Sequence, residues 1–476
     1  MAKDSLHIIV RYYSAVTFSN MSDLHDLCKF PQRPITDAYV DNLKYYLKNG
    51  IPATYTVEEA YNYDNGIEEE PTTTTTPLHL ICTHVPKDLT ADEVGIVSQL
   101  VEILFEYGAG WCFTDVDNKT PGCILIKRGL QDLPIYQQIV DAGVRAELLL
   151  RKVGEYDMEV ISDTEDLDHE AFVGVANKTE TASEEAVDLR AKTSPEKPHN
   201  ASNVDQEDDA PDAPSQNQQS YLNTKLEYVN DDALVTKDRK DGVMMSWESD
   251  IMQLGANTLF KKGAYIEKNE LDSEINILNI GFGMGIIDTM IQQQHPTMHY
   301  ICEAHPDVIE KLRTDGWFAK PNVKILAGRW QDELPKLLTQ GTFFNGIYYD
   351  TFSEHYSDML ELFDLVVGLL KPHGVFSFFN GLGADRQVVY QVYRKLVELD
   401  LENYGLVCKF TDVDVPETLF KDGRNSGSGS GSGSGSSADD DRDGDKDGDA
   451  SVWDNVKRSY WSCPTYYHPE VKFIDF

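Results

Sequence analysis

Apolar residues along the 476-residue chain fall into distinct regimes. Residues 21 to about 150 carry helical spacing in short phrases that end on glycine. DNLKYYLKNGIPA at 41–53 places Gly50 as the phrase around 101–110 places Gly108, and IYQQIVDAGVRAELLL at 135–150 adds a further helix. Residues 1–20 precede the first clear helical pattern, which opens at Met21, and are read as a disordered extension. From 151 to 220 the periodicity is lost and Asp, Glu, Ser, Ala, Pro and Gln take over, as in NVDQEDDAPDAPSQNQQ, which predicts a flexible acidic linker. From 221 to 476 short apolar runs alternate with helical ones. They predict strands near 275–280, 298–303, 323–327, 344–349, 374–379, 404–411 and 470–475, with helices near 286–294, 305–315, 356–370 and 383–399. That alternation is the signature of one α/β domain. Before its last strand, GSGSGSGSGSS and DDDRDGDKDGDA form a low-complexity insertion at 424–450 that cannot bury enough surface to order itself. Asp443, Asp445, Asp447, Gly448 and Asp454 have calcium-loop spacing, but the twelfth position is Asp rather than Glu and no amphipathic helix precedes it, so a solvated extension is preferred.

Within the helical region TPLHLIC, Thr76 to Cys82, resembles the turn and first helix of an ankyrin unit, and VEILFEYGAGWCFTDVDNKTPG at 101–122 continues through a second helix into the next TP turn. The resemblance implies an all-α ankyrin-like repeat domain over 21–150. Its spacing is irregular, with an insertion expected around VPKDLTADEVG and an acidic, threonine-rich interruption at 64–76. Such stacks bind a partner or brace a neighbouring domain, and His79 inside the turn is read as structural.

Charge and cysteine usage narrow the function. A formal net charge of -38 opposes binding to nucleic-acid phosphates or anionic membrane and suits basic partners, although solvated acidic linkers account for part of it. Seven scattered cysteines, an odd number without C-x-x-C spacing, suggest neither a disulfide framework nor a zinc site. No apolar run approaches the ~20 residues of a membrane span. The expected compartment is reducing, cytosol or nucleus.

The most informative stretch is INILNIGFGMG, Ile275 to Gly285, an apolar strand running into Gly281, Gly283 and Gly285. Glycines at alternate positions permit a tight turn and close approach of a nucleotide-like group; equally, they serve strand-to-helix packing. Glu303 ends the next strand, MHYICE, about twenty residues on, where an acid accepts both hydroxyl hydrogens of a ribose. FFNGIYYDTFSEHY at 343–356 ends its apolar run at Asp350, an active-site address at the carboxyl edge of an open sheet and also a position for a helix cap. DGVMMSWESDIM at 241–252 supplies Glu248 beside Trp247 and a methionine stripe of core character. In GRWQDEL at 328–334, Trp330 and Gln331 suit an adenine by packing and hydrogen bonding, while Trp330 also suits a core anchor.

Taken together, NIGFGMGIIDT, YICEAHPDV, GRWQD, GIYYDTFSEHY and DGVMMSWE resemble guanidinoacetate methyltransferase, and more closely the fungal type IV protein arginine methyltransferases, which also carry an N-terminal ankyrin-like region. The resemblance implies a seven-stranded Rossmann-like class I methyltransferase domain using S-adenosylmethionine. Phe282, Gly283, Met284, Gly285, Ile286 and Ile287 would line the cofactor, Glu303 would hold its ribose, Ala304 and His305 would border the adenosine, and Trp330 and Gln331 would flank the adenine. Tyr228 and Met252 match a segment that folds over the cofactor, and Asp350 and Glu248 match the carboxylates that grip the guanidino group, with Asp350 also at the cofactor. Asn279 departs from the pattern, which has an acid there and uses it on the methionine end. The implied activity is methylation of the arginine δ nitrogen in a large-subunit ribosomal protein, in cytoplasm and nucleus, with the ankyrin-like region docking substrate or another protein. Two other readings stand beside it: methylation of a small guanidino metabolite, and an adaptor whose catalytic domain is retired.

Overall fold

The computed structural model describes residues 21–155, 217–230, 232–261, 274–420, 453, 456 and 460–474. The expected N-terminal extension, most of the expected linker and the Gly-Ser and Asp-rich insertion with its calcium-spaced acids lie outside the described residues.

Residues 21–155 are helical: α1 (Met21–Leu27), α2 (Asp37–Lys48), α3 (Val57–Asp64), α4 (Pro77–His84), α5 (Ala91–Glu106), α6 (Pro121–Lys127) and α7 (Pro134–Glu155). Each TP turn starts a helix because proline at the first helical position needs no partner for its missing N–H. His79 Nδ1 accepts from Thr76 N at 3.1 Å, and its Nε2 reaches Phe113 O at 3.0 Å, tying one turn to the loop before the next. Burial depresses its pKa, and it holds backbone rather than ligand. The helix continues past 150: α7 runs to Glu155, and a short helix α8 (Gln218–Asn223) opens the next segment, so both ends of the expected linker are helical.

Beyond α8 comes a three-stranded antiparallel sheet of β1 (Leu226–Val229), β2 (Ala233–Thr236) and β3 (Gly242–Met245), which the apolar pattern did not predict. Helix α9 (Ser249–Leu259) leads from it to the main sheet. There, β4 (Asn276–Ile280), α10 (Ile286–Gln293), β5 (Met298–Glu303), α11 (Pro306–Thr314), β6 (Val323–Ala327), α12 (Trp330–Thr339), β7 (Phe344–Tyr349), α13 (Tyr356–Leu369), β8 (Leu370–Phe378), α14 (Gln387–Asn403), β9 (Leu406–Asp414) and β10 (Thr465–Phe473) follow in order. The strand order is β6-β5-β4-β7-β8-β10-β9. Five neighbouring strands are parallel, and β10 runs antiparallel to both β8 and β9. This is the seven-stranded mixed sheet that the resemblance implied. Side chains sort by strand period: Leu278 and Ile280 of β4 join the core under α12 and α13, while Ile277 joins the core under α9, α10 and α11.

Order reverses between β4 and β7, so the loops leaving their carboxyl ends diverge and open a crevice. Those loops are Gly281–Gly285 and 350–355. A third core joins the two halves of the chain: Val388, Val392 and Leu396 of α14 are buried with the helical region's own apolar residues. Gly122 and Gly143 let α14 in, because a Cβ at either would come within 2.6 Å of Val388 or Val392. Among the described residues no helix is long and apolar enough to cross a membrane.

Candidate active site

The glycine loop is shaped by its neighbours before any ligand. Gly281, Gly283 and Gly285 have φ of 91°, 53° and 72°, a region that excludes most side chains. A Cβ on Gly281 would fall 1.8 Å from the Asp350 carbonyl oxygen, so the two loops pack backbone on backbone, pinned by Asp350 N donating to Ile280 O at 2.9 Å. Gly285 faces the Phe282 ring and starts α10. A Cβ on Gly283 would meet Met244 Sδ at 2.8 Å, so packing holds each glycine of the loop, and Gly281 and Gly283 also wall the crevice.

The crevice runs between the two loops. Of the residues proposed from sequence, Gly283, Glu303, Ala304, Trp330, Gln331 and Asp350 line it. Glu303 is buried, and its two oxygens accept from Phe282 N at 2.8 Å and His305 N at 2.7 Å, which fixes the carboxylate at the wall. Burial raises its pKa, opposed by backbone N–H donors led by His305 and Phe282. Trp330 donates its Nε1 to Glu354 at 2.9 Å, and Gln331 Nε2 reaches the same carboxylate at 3.3 Å. Trp330 is both core anchor and cleft wall.

The other proposed contacts sit elsewhere. Met252 is fully buried in the core, where its sulfur accepts from Tyr348 Oη at 3.6 Å. Tyr228 does not wall the crevice; it donates to Gly283 O at 3.0 Å and braces the loop. The Phe282 ring is buried edge-on against Trp317, with centroids 5.3 Å apart, and only its backbone N–H serves the site. Met284 N donates to Met244 Sδ at 3.2 Å, Ile286 and Ile287 begin α10, and Ile287 is buried. The His305 ring accepts from Asp307 N through Nδ1 and holds the Tyr221 and Thr224 carbonyls through Nε2, so it caps α11 and seats α8 instead of bordering a nucleoside. Asn279 is buried and bonded to Asp288 Oδ2 at 2.9 Å, which keeps it inside the protein.

A second cavity adjoins the first and holds Glu248. Val243, Asp350, Thr351, Phe352 and Glu354 line both. Asp350 and Glu354 are thus the acids at the junction, and Asp350 Oδ2 is buried without a hydrogen-bond partner among the described residues. Burial first, then the charges of Asp288 and Glu303, push its pKa up to about 7. Glu248, buried within the η-turn Ser246–Glu248, is pushed well above the carboxylate range by burial and then by Asp350, while Tyr460 and Met245 N hold it down. Two buried acids that oppose each other's ionisation make a receptor for a cation.

A family model described as guanidinoacetate N-methyltransferase matches residues 215–402, from just before α8 to within α14. A curated relative from Debaryomyces hansenii named protein arginine N-methyltransferase 2 is 62% identical over 96% of this chain and 100% of its own length. One of the same name from Saccharomyces cerevisiae is 46% identical over 95% of this chain and 100% of its own. The chain belongs to the protein arginine N-methyltransferase 2 family. Among solved structures, a precorrin-6y C5,15-methyltransferase from Geobacter metallireducens is similar at a TM-score of 0.29 and 18% identity, over 39% of this chain and 84% of that one. Membership in the arginine N-methyltransferase 2 family makes the chain a methyltransferase and sets aside the reading of a retired domain.

Site residues that sequence reasoning missed are Glu354, Tyr460, Gln218, Tyr221 and Met244. Glu354 accepts from Trp330, Gln331, Tyr349, Thr351 and Gln218, so one carboxylate ties the crevice to α8. The signal was faint: an acid four residues after Asp350 reads as an ordinary helix-start residue. The crevice fits a nucleoside sulfonium. Gln331 Oε1 and Arg329 Nε are buried without partners, one acceptor and one donor at the Trp330 end, and Glu303 lies at the wall between them and the glycine loop.

Proposed function

We propose that this chain methylates the δ nitrogen of an arginine in a basic protein of the large ribosomal subunit, with S-adenosylmethionine as donor. The observation that carries the reading is Asp350, a carboxylate that lines both the crevice and the acid-lined cavity beside it and, among the described residues, keeps one buried oxygen without a hydrogen-bond partner.

When bound, the cofactor supplies a methyl carbon made electrophilic by its sulfonium. The rest falls to the chain's own residues. A guanidinium has a pKa above ~12 and its lone pairs are delocalised, so it is a poor nucleophile in water. Asp350 and Glu248 would take it through paired charge-assisted bonds, replacing their mutual repulsion with attraction to the cation, and localise density on the nitrogen turned toward the crevice. Transfer to that nitrogen would leave the guanidinium with one proton to lose. Glu248, held above the usual carboxylate range, is suited to accept it. Positioning of this kind contributes roughly 7–11 kcal/mol in favourable cases.

The helical region is read as an ankyrin-like surface for the substrate or another protein, and an acidic chain suits a basic one. A small guanidino metabolite would share the chemistry but needs no helical platform. We expect the chain in cytoplasm and nucleus. The test is incubation of the full chain with labelled S-adenosylmethionine and separated large-subunit ribosomal proteins, followed by fragmentation mass spectrometry of the product. Label on an arginine δ nitrogen supports the reading; label only on terminal nitrogens or only on free guanidinoacetate overturns it.

A further inference from the structure

One wall of the acid-lined cavity comes from the excursion between β9 and β10. Tyr460, just before β10, lines that cavity, and its hydroxyl donates to Glu248 Oε1. No motif in the chain points to it. The ring is held from several sides. Trp453 meets it edge-on at 5.0 Å between centroids, Trp247 lies at 6.2 Å, and Trp247 in turn packs on Trp461 at 5.6 Å. From β3, Gly242 leaves the ring room, since a Cβ there would sit 3.0 Å from it. The same Glu248 oxygen accepts from Met245 N at 3.3 Å, and among the described residues the other oxygen receives no bond.

We propose that Tyr460 is a positioning residue for Glu248, so that a residue from outside the parallel strands completes the guanidino cavity. The inference rests on the proposed arginine chemistry and adds a residue to it. Its logic is geometric. Glu248 faces Asp350 and Tyr348 from β7 and Tyr466 from β10 as well as Tyr460. Of these, Asp350 opposes its charge, and the hydroxyl of Tyr460 donates to it. Tyr460 keeps its proton, because burial and the neighbouring carboxylate push its pKa up, so it remains a donor throughout the working range. By binding one oxygen it fixes the rotamer and leaves the other for the substrate.

The test is Tyr460→Phe in the full chain, which removes one oxygen and keeps the ring. Isotope-edited infrared difference spectra, with the Glu248 band identified by its loss in Glu248→Gln, follow that carboxyl through a pH titration without substrate. The midpoint is expected to move upward in Tyr460→Phe, kcat to fall by about tenfold or more, and cofactor affinity to stay within about twofold. An unmoved Glu248 midpoint overturns the inference, and so does a fall in kcat with no such movement, which would assign Tyr460 to packing alone. The spectra need no turnover. Failure of the wild-type chain to methylate arginine would therefore sink the proposed function while the Tyr460 result stands on its own.

Discussion

Asp350 presents a carboxylate oxygen with no internal partner at the point where two cavities meet, and both its uses and its costs follow from that. Asp350→Asn keeps the shape and removes the charge, so methylation should fall on the order of 100-fold or more while the fold survives, measured by labelled transfer and circular dichroism. The same variant should be the more heat-resistant protein at alkaline pH. With a folded pKa of about 7 against roughly 4 unfolded, Asp350 contributes stability at low pH that is lost as pH climbs through that interval, and Asn does not titrate. A thermal scan at pH 8 that ranks Asn below Asp would refute this. Catalysis runs the other way: the free enzyme must shed that proton to receive a cation, so kcat/KM should decline as pH drops below about 7. Asp350 and Glu303 stood out in the sequence as acids ending apolar strands, although Asp350 read equally as a helix cap, while Glu248 was singled out by the family resemblance, because the short strand before it did not show. His305 and Met252 were misplaced, since adjacency in sequence to a site says nothing about which way a ring or thioether turns. Glu354 and Tyr460 were invisible because their partners lie on other elements and meet them only after folding.

At the level of elements, the site is a contact between two turns. Gly281→Ala would drive a methyl group into the Asp350 carbonyl at a φ of 91°, so we expect a loss of several kcal/mol in denaturant unfolding, about 3 or more by analogy with strained and overpacked positions. Unfolding within 1 kcal/mol of wild type would contradict it. The Glu354 hub belongs here too. Glu354→Gln replaces an all-acceptor group by one that must also donate, facing Trp330, Gln331, Tyr349, Thr351 and Gln218; cofactor affinity read by calorimetry should drop by about tenfold, with α8 loosened. The central strands β4, β5 and β7 and the end of β8 were readable because burial on both faces gives near-unbroken apolar runs bounded by turns, whereas β6 and β9 are partly exposed and β10 begins at Thr465, ahead of the expected 470. The small sheet was not: its strands are four residues each, joined through turns with Asn230 and Lys240 at positive φ, and four residues are too few to show a period.

Across the whole molecule the helical region and the catalytic sheet share one core. Val388, Val392 and Leu396 pack under Gly122 and Gly143, and the seam is edged by Arg151 on Asp400 at 2.8 Å and Lys395 on Asp141 at 2.7 Å. Tyr356, the first residue of α13, donates to that Asp400 at 2.6 Å, so the seam ends one residue from the loop that carries Asp350 and Glu354. Val392→Asp should split a single calorimetric unfolding transition into two, the helical half melting first; a single unshifted transition would show that the halves do not depend on each other. Bracing of a neighbouring domain was one role expected of the helical stack, but its place was not visible in the chain, because α14 reads as an ordinary amphipathic helix and nothing local says which partner covers its apolar side. The seam has a further consequence. Cohesion resides in the buried face and its ionic rim, so the peptide connection across 156–216 is dispensable once the pieces have met, and two separately expressed fragments ending and starting there should complement one another into a working split enzyme.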